Sequence, residues 1–139
     1  GTSSRVSVRA ATPAYNGYFK FQVSGITGRV QSAKVRVYVV DRSNIGGTIY
    51  SVSNNYRTTA TAWTETGINW QNAPTISGSA LSTVGTAEVN TWIEFDVTAA
   101  VQSNGTYSFG IISSSTNMVD YNSKEAASNR PVLVIVQTP

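Results

Sequence analysis

The chain has 139 residues, none of them Cys or His, with 10 Lys and Arg against 7 Asp and Glu. Without thiols or imidazoles it offers no disulfide, no cysteine nucleophile, no His-ligated zinc or iron and no imidazole base for a hydrolytic triad. A net charge of +3 is far milder than that of a general polyanion binder, so nucleic acid is not the expected partner. The length suits one domain around one core, and no apolar run approaches the ~20 residues of a membrane span. The first residues, Gly1-Thr2-Ser3-Ser4, carry neither an initiator Met nor a signal peptide, so the chain reads as processed or excised. Its surface is drawn from Ser, Thr, Asn and Gly rather than Lys and Glu, a bias that predicts an extracellular or cell-surface protein.

In chain order, ten short stretches read as strands: Arg5–Arg9, Tyr18–Val23, Ala33–Val40, Thr48–Val52, Ile68–Trp70, Leu81–Val84, Trp92–Val97, Thr106–Ile112, Val119–Asn122 and Val132–Gln137. Turn residues separate them, among them Asn16-Gly17, Ser24-Gly25, Gly46-Gly47, Ser77-Gly78, Asn104-Gly105 and Arg130-Pro131. No stretch shows a helix-length 3.6-residue pattern, although Thr98–Val101 reads as one turn capped by Thr98 or Asp96. The prediction is an all-β, single antiparallel β-sandwich, jelly-roll-like. The first three strands alternate apolar and polar residues, and side chains on a strand point to opposite faces with period two. Val6, Val8, Phe19, Phe21, Val23, Val35, Val37 and Val39 therefore belong to a core, joined later by Phe95, Val97, Phe109, Ile111, Leu133 and Ile135. Arg5, Arg9, Lys20, Lys34 and Arg36, with Tyr18 and Tyr38, point outward. If these strands share one sheet, its outer face is a basic platform carrying tyrosines. The stretch Ser53–Ala73 has little regular pattern and holds Tyr56, Trp63 and Trp70. Its tryptophans either plug one end of the sandwich or stack on a sugar.

Ordered blocks make the chain resemble a known family. Gly17-Tyr18-Phe19-Lys20-Phe21-Gln22-Val23-Ser24-Gly25 and Ser32-Ala33-Lys34-Val35-Arg36-Val37-Tyr38 are similar to the opening of a DNRLRE domain, a secreted β-sandwich module whose members include alginate-binding carbohydrate-binding modules. Trp63-Thr64-Glu65 with Ile68-Asn69-Trp70-Gln71-Asn72-Ala73-Pro74 resembles the family's central loop, and Trp92-Ile93-Glu94-Phe95-Asp96-Val97-Thr98 its late strand. Tyr121-Asn122-Ser123-Lys124-Glu125-Ala126 and Arg130-Pro131-Val132-Leu133-Val134 resemble its closing segment. The chain departs from the family at Gln22, where Asp is usual, and at Lys124, where the planar fork of Arg is usual. Gly1 to Arg9 resembles the family's second strand, so its first strand is expected to be absent, trimmed away or supplied by another chain.

The resemblance implies binding without catalysis, to an acidic polysaccharide such as alginate. It carries Lys20, Arg36, Tyr121 and Lys124 over as ligand-binding residues; the outward phase of the strands adds Arg5, Arg9, Lys34, Tyr18 and Tyr38. Each of these cations has a plain alternative as a solvated or cross-strand-paired residue. Glu94 and Asp96 share a strand face as a glycosidase pair would, but they lie in a block resembling a structural strand. Asp120 and Glu125 offer a structural calcium site at most, because no spaced Asp-rich loop accompanies them; pairing with Lys124 or Arg130 is the simpler expectation. Asn104-Gly105-Thr106 matches an N-glycan acceptor, at a position expected to be a hairpin turn. Beside the binding module stands a second class, an extracellular structural subunit self-assembling into a fibre through an open sheet edge by strand exchange.

Overall fold

A computed structural model of the chain describes residues 3–10 and 14–139. Gly1 and Thr2, at the head of the block that resembles the family's second strand, lie outside the described residues. Among the described residues nine strands form: β1 (Arg5–Val8), β2 (Gly17–Val23), β3 (Arg29–Asp41), β4 (Gly47–Val52), β5 (Ser82–Val84), β6 (Trp92–Asp96), β7 (Gly105–Ile112), β8 (Val119–Asn122) and β9 (Val132–Thr138). All their pairings are antiparallel, and they make two sheets, β1-β8-β3-β6 with β9 also on β3, and β2-β7-β4-β5. This is the all-β sandwich expected from the alternation. Of the ten strands read from the sequence, Ile68–Trp70 is the exception: Ile68 and Asn69 are irregular and Trp70 opens a turn. Its three residues cannot form a ladder, because Asn69 and Asn72 satisfy the local backbone instead: the Asn69 side chain accepts from the N–H groups of Gln71 and Asn72, and Asn72 Oδ1 accepts from the N–H of Asn69.

The period-two rule assigns the core correctly. Phe19, Phe21, Val23, Val35, Val37, Val39, Phe95, Val97, Phe109 and Ile111 are buried between the sheets, while Leu133 and Ile135 are partly buried against them. In β3 the even-numbered Val30 joins the odd-numbered core residues because the pairing with β9 shifts register between Val30 and Ser32. A β-bulge there inserts one residue and restores the inward phase. The turn after β6 forms as expected. Asp96 Oδ1 accepts from the backbone N–H and hydroxyl of Thr98 at 2.9 and 2.6 Å, and the N–H of Val101 reaches the Val97 carbonyl.

β6 and β9 both pair with Lys34–Arg36 and so must occupy opposite edges of β3. β8 and β9 lie end to end along the same edge of β3, with residues 123–131 looping out between them, and β1 flanks β8 alone.

β2 corrects the sequence reading. It pairs with β7 in the second sheet, so Lys20 and Tyr18 are not on the face that carries Lys34, Arg36 and Tyr38. The expected basic platform loses Lys20 and Tyr18, while Arg5, Lys34, Arg36 and Tyr38 keep a common outward phase within the first sheet. The alternation fixes which side of its own strand a residue takes, but not which sheet the strand joins.

Candidate functional site

An open groove of about 350 Å³ lies on the flank where β1 of one sheet meets β2 of the other. Its walls come from Arg5 and Ser7 on β1, Tyr15 and Asn16 ahead of β2, Tyr18 on β2, Glu65 and Ile68–Trp70 of the long loop, and Ser123–Glu125 of the excursion between β8 and β9. Three aromatic side chains converge there. Trp70 is 63% exposed and Tyr15 41%, unusual for rings of that size in a domain with a well-filled core.

The loop presents Trp70 because its neighbours are fixed. Arg57 donates to the carbonyls of Ala73 and Trp70, at 2.9 and 3.5 Å, and the Asn69–Asn72 turn closes around it. Trp63, by contrast, is fully buried with its indole N–H on the Ser53 carbonyl at 2.8 Å, so the two tryptophans divide the plugging and exposed roles. Tyr18 stands edge-on to Trp63 at 6.4 Å. Its phenol is pushed up by burial, against the lowering effects of a hydrogen bond with Asn16 and the charge of Arg57, which keeps it a neutral hydrogen-bonding group.

The cations of the groove have carboxylate neighbours. Arg5 reaches Asp120 at 3.4 Å while more than half its side chain stays exposed, and Asp120 also accepts from the Ser7 hydroxyl. Asp120 is thus held by Arg5 and Ser7, not by Lys124 or Arg130. Lys124 pairs with Glu65 at 2.9 Å, donates to the backbone carbonyl of Lys20 and lies over the Phe21 ring. Arg9 covers the face of Tyr15 at 5.0 Å. Lys20 sits beside the groove but is spent on the carbonyls of Asn54 and Trp63 and on the Trp63 ring. Burial lowers its ammonium pKa, opposed by Glu65 and Tyr56.

Of the residues expected to bind ligand, the structure brings Arg5, Tyr18 and Lys124 into the groove and places Arg9 and Lys20 at its margins. Lys34, Arg36 and Tyr38 share a separate patch on the outer face of the first sheet. Both cations there bond to Glu94, at 3.7 and 3.2 Å, and Arg36 and Tyr38 pack on Trp92. Glu94 is thereby a cross-strand ion-pair partner, and Asp96 is a cap. Tyr121 needs a correction. It is fully buried, with its hydroxyl on the Gly46 carbonyl at 2.6 Å, and contacts no solvent through which a ligand could reach it. Its alternation in β8 with Val119 carried that information, since both point inward. Asn104 is not in a hairpin turn: it precedes β7, and its amide bonds the backbone of Ile26 in both directions. Tyr15 escaped the sequence reading because it lies in no strand whose phase would show it; for Trp70, where the sequence left plugging and sugar stacking open, the exposed ring excludes the plug.

An aromatic-lined surface groove on the flank of a sandwich, with charged hydrogen-bonding groups beside the rings, is the design of a carbohydrate-binding module. Residues 1–137 match the model of carbohydrate-binding module family 96, and the chain belongs to that family of non-catalytic modules. No curated protein matches it.

Proposed function

We propose that this module binds an acidic polysaccharide chain, of the alginate type, in the β1–β2 groove at an extracellular or cell-surface location. The observation that carries the reading is the convergence of Trp70, Tyr15 and Tyr18 with Arg5 and Lys124 in one open groove. Aromatic faces offer apolar contact to the C–H faces of sugar rings, while guanidinium and ammonium groups complement uronate carboxylates. Arg5 has donors left after its single bond to Asp120, and Lys124 already holds a carboxylate, that of Glu65, which a uronate would replace. The resemblance to alginate-binding modules supports the choice of an acidic chain. So does the Ser-, Thr- and Asn-rich surface for the extracellular setting.

Affinity electrophoresis in alginate-containing gels tests this. Trp70→Ala should bind about tenfold more weakly, about 1.4 kcal/mol, and Arg36→Ala, outside the groove, should migrate as the parent does. Binding should fall with salt as the Debye length shrinks from about 10 Å at 0.1 M to about 3 Å at 1 M, and a neutral glucan should not retard the protein. Loss of binding in Arg36→Ala with Trp70→Ala unaffected would move the site to the Lys34–Arg36 patch.

A second reading, assembly of subunits at the cell surface by strand addition, is favoured by one observation. The outer edge of β9 has no strand partner among the described residues, and an uncharged cleft of about 330 Å³ opens beside it between the sheets, lined by Phe21, Gln22, Val23, Ser24, Leu133 and Ile135. A strand laid on that edge would continue the ladder and lower apolar side chains into the cleft.

A further inference from the structure

The five sheet edges among the described residues are not guarded alike. β1 is four residues long and begins with Arg5, β5 has three residues, and β6 carries Glu94 and Asp96. The edge of β2 carries Lys20, whose backbone carbonyl is taken by the ammonium of Lys124. Short strands, charges and lysines are the usual means of keeping an edge from pairing. β9 has none of them: Val132–Thr138 is seven residues without a charge or a proline, and the bulge in this part of the sheet lies on β3. Its outward residues Val132, Val134 and Val136 are 41%, 42% and 47% exposed.

The order of these residues is self-complementary. In an antiparallel pairing of β9 with β9 of a second copy, centred on Val134, Val134 faces its own counterpart and Val132 faces Val136. On the inner face Leu133 faces Ile135. Every central cross-strand pair is then apolar, and the inner pairs extend over the cleft that holds Phe21 and Val23. Like charges do not oppose it. No charged residue lies within the pairing strands: Lys34 and Arg36 lie one strand in, beside Val134 and Val132, and are bridged to Glu94; Arg29 lies one strand in beside Thr138; and Arg130, two residues ahead of β9, donates to the Ala126 carbonyl. Counterpart Lys34 residues would be three strand spacings apart, about 14 Å, beyond the Debye length of about 8 Å at physiological ionic strength.

We infer that β9 is a homodimer edge, at which a second copy of this chain adds its own β9 antiparallel about a two-fold axis through Val134. This rests on the strand-addition reading and gives it a partner and a register. An isologous contact closes at two subunits. One strand pair with its side-chain rows is a small interface, below about 1,200 Å², so the dimer is reversible and its population rises with concentration.

The absence of native cysteine makes the register directly measurable. Single variants Val132→Cys, Val134→Cys and Val136→Cys, all at exposed positions, are treated with a short bifunctional maleimide, while sedimentation velocity follows the parent and Val134→Lys over a concentration series. The parent should pass from monomer to dimer and Val134→Lys should stay monomeric with an unchanged melting midpoint. Val134→Cys should crosslink alone. Val132→Cys and Val136→Cys should crosslink only when mixed, since each lies about 14 Å from its own counterpart in this register. A parent that stays monomeric at every concentration overturns both the dimer and the strand-addition reading. Open-ended filaments, or self-crosslinking of Val132→Cys, overturn the two-fold register and leave strand addition standing.

Discussion

Tyr121 and Trp70 exchange the roles that their settings in the sequence suggest. Tyr121 stands in a block resembling a ligand-binding segment, yet it is buried, with its hydroxyl on the Gly46 carbonyl. Burial pushes its phenol far above the ordinary tyrosine range, so it stays a hydrogen-bond donor even in alkaline solution. Tyr121→Phe leaves that carbonyl without its donor in a packed interior, and a loss of roughly 1–3 kcal/mol in denaturant unfolding is expected, with alginate binding unchanged. Glu65 makes the opposite kind of prediction. It occupies the ammonium of Lys124 with a carboxylate, as a uronate would, so Glu65→Gln should bind alginate several-fold more tightly in the same gels. Weaker binding in that variant would mean that Glu65 serves the sugar or the loop rather than competing with the ligand.

At the scale of the element, strand phase was legible and strand partnership was not. Phe19-Lys20-Phe21 and Val35-Arg36-Val37 have the same alternation, because both alternations record only an inside and an outside. That β2 joins β7 while β3 joins β6, β8 and β9 depends on long-range packing that no local pattern contains. The core could be named because burial is a property of one face; Phe21→Ala is expected to cost about 3–5 kcal/mol in unfolding, mostly through the cavity it leaves. The groove could be named only in part, since most of its wall is loop, where exposure follows from turn hydrogen bonds such as those of Asn69 and Asn72. The turn after β6 shows a local rule holding. Hydrogen bonds from Thr98, its hydroxyl foremost, hold the Asp96 carboxyl below its usual range despite a small opposing effect of burial. A carboxyl lowered on folding contributes stability that is present above its unfolded pKa and is lost as pH falls through the folded value. Melting curves of the parent should therefore steepen in their pH dependence below about pH 4, and Asp96→Asn should remove part of that slope.

Across the whole molecule, the two features that bear on function share one flank. The groove lies where β1 meets β2, the cleft lies where β2 meets β9, and Lys124 stands between them, bonded to Glu65 on the groove side and lying over Phe21 on the cleft side. The patch of Lys34, Arg36, Tyr38 and Trp92 on the first sheet lies outside the groove and is paired within itself. A strand added at β9 would therefore approach the excursion that carries Lys124, whereas a ligand on the Lys34–Arg36 patch would meet only sheet. If both proposals hold, alginate retention and dimerisation should respond to each other, and repeating the sedimentation series with an alginate oligomer present measures that response.

The excursion of residues 123–131 interrupts what is otherwise one line of strand along β3, leaving at Asn122 and rejoining at Val132. Most of the ladder on that side is complete without it. Its length and composition can therefore change while the flanking strands keep their register, since the hydrogen bonds that fix that register belong to β8 and β9. Groove chemistry on this flank is thus separable from folding. Exchanging the excursion between related modules would transplant one wall of the groove, and with it a share of the sugar preference, onto an unaltered sandwich.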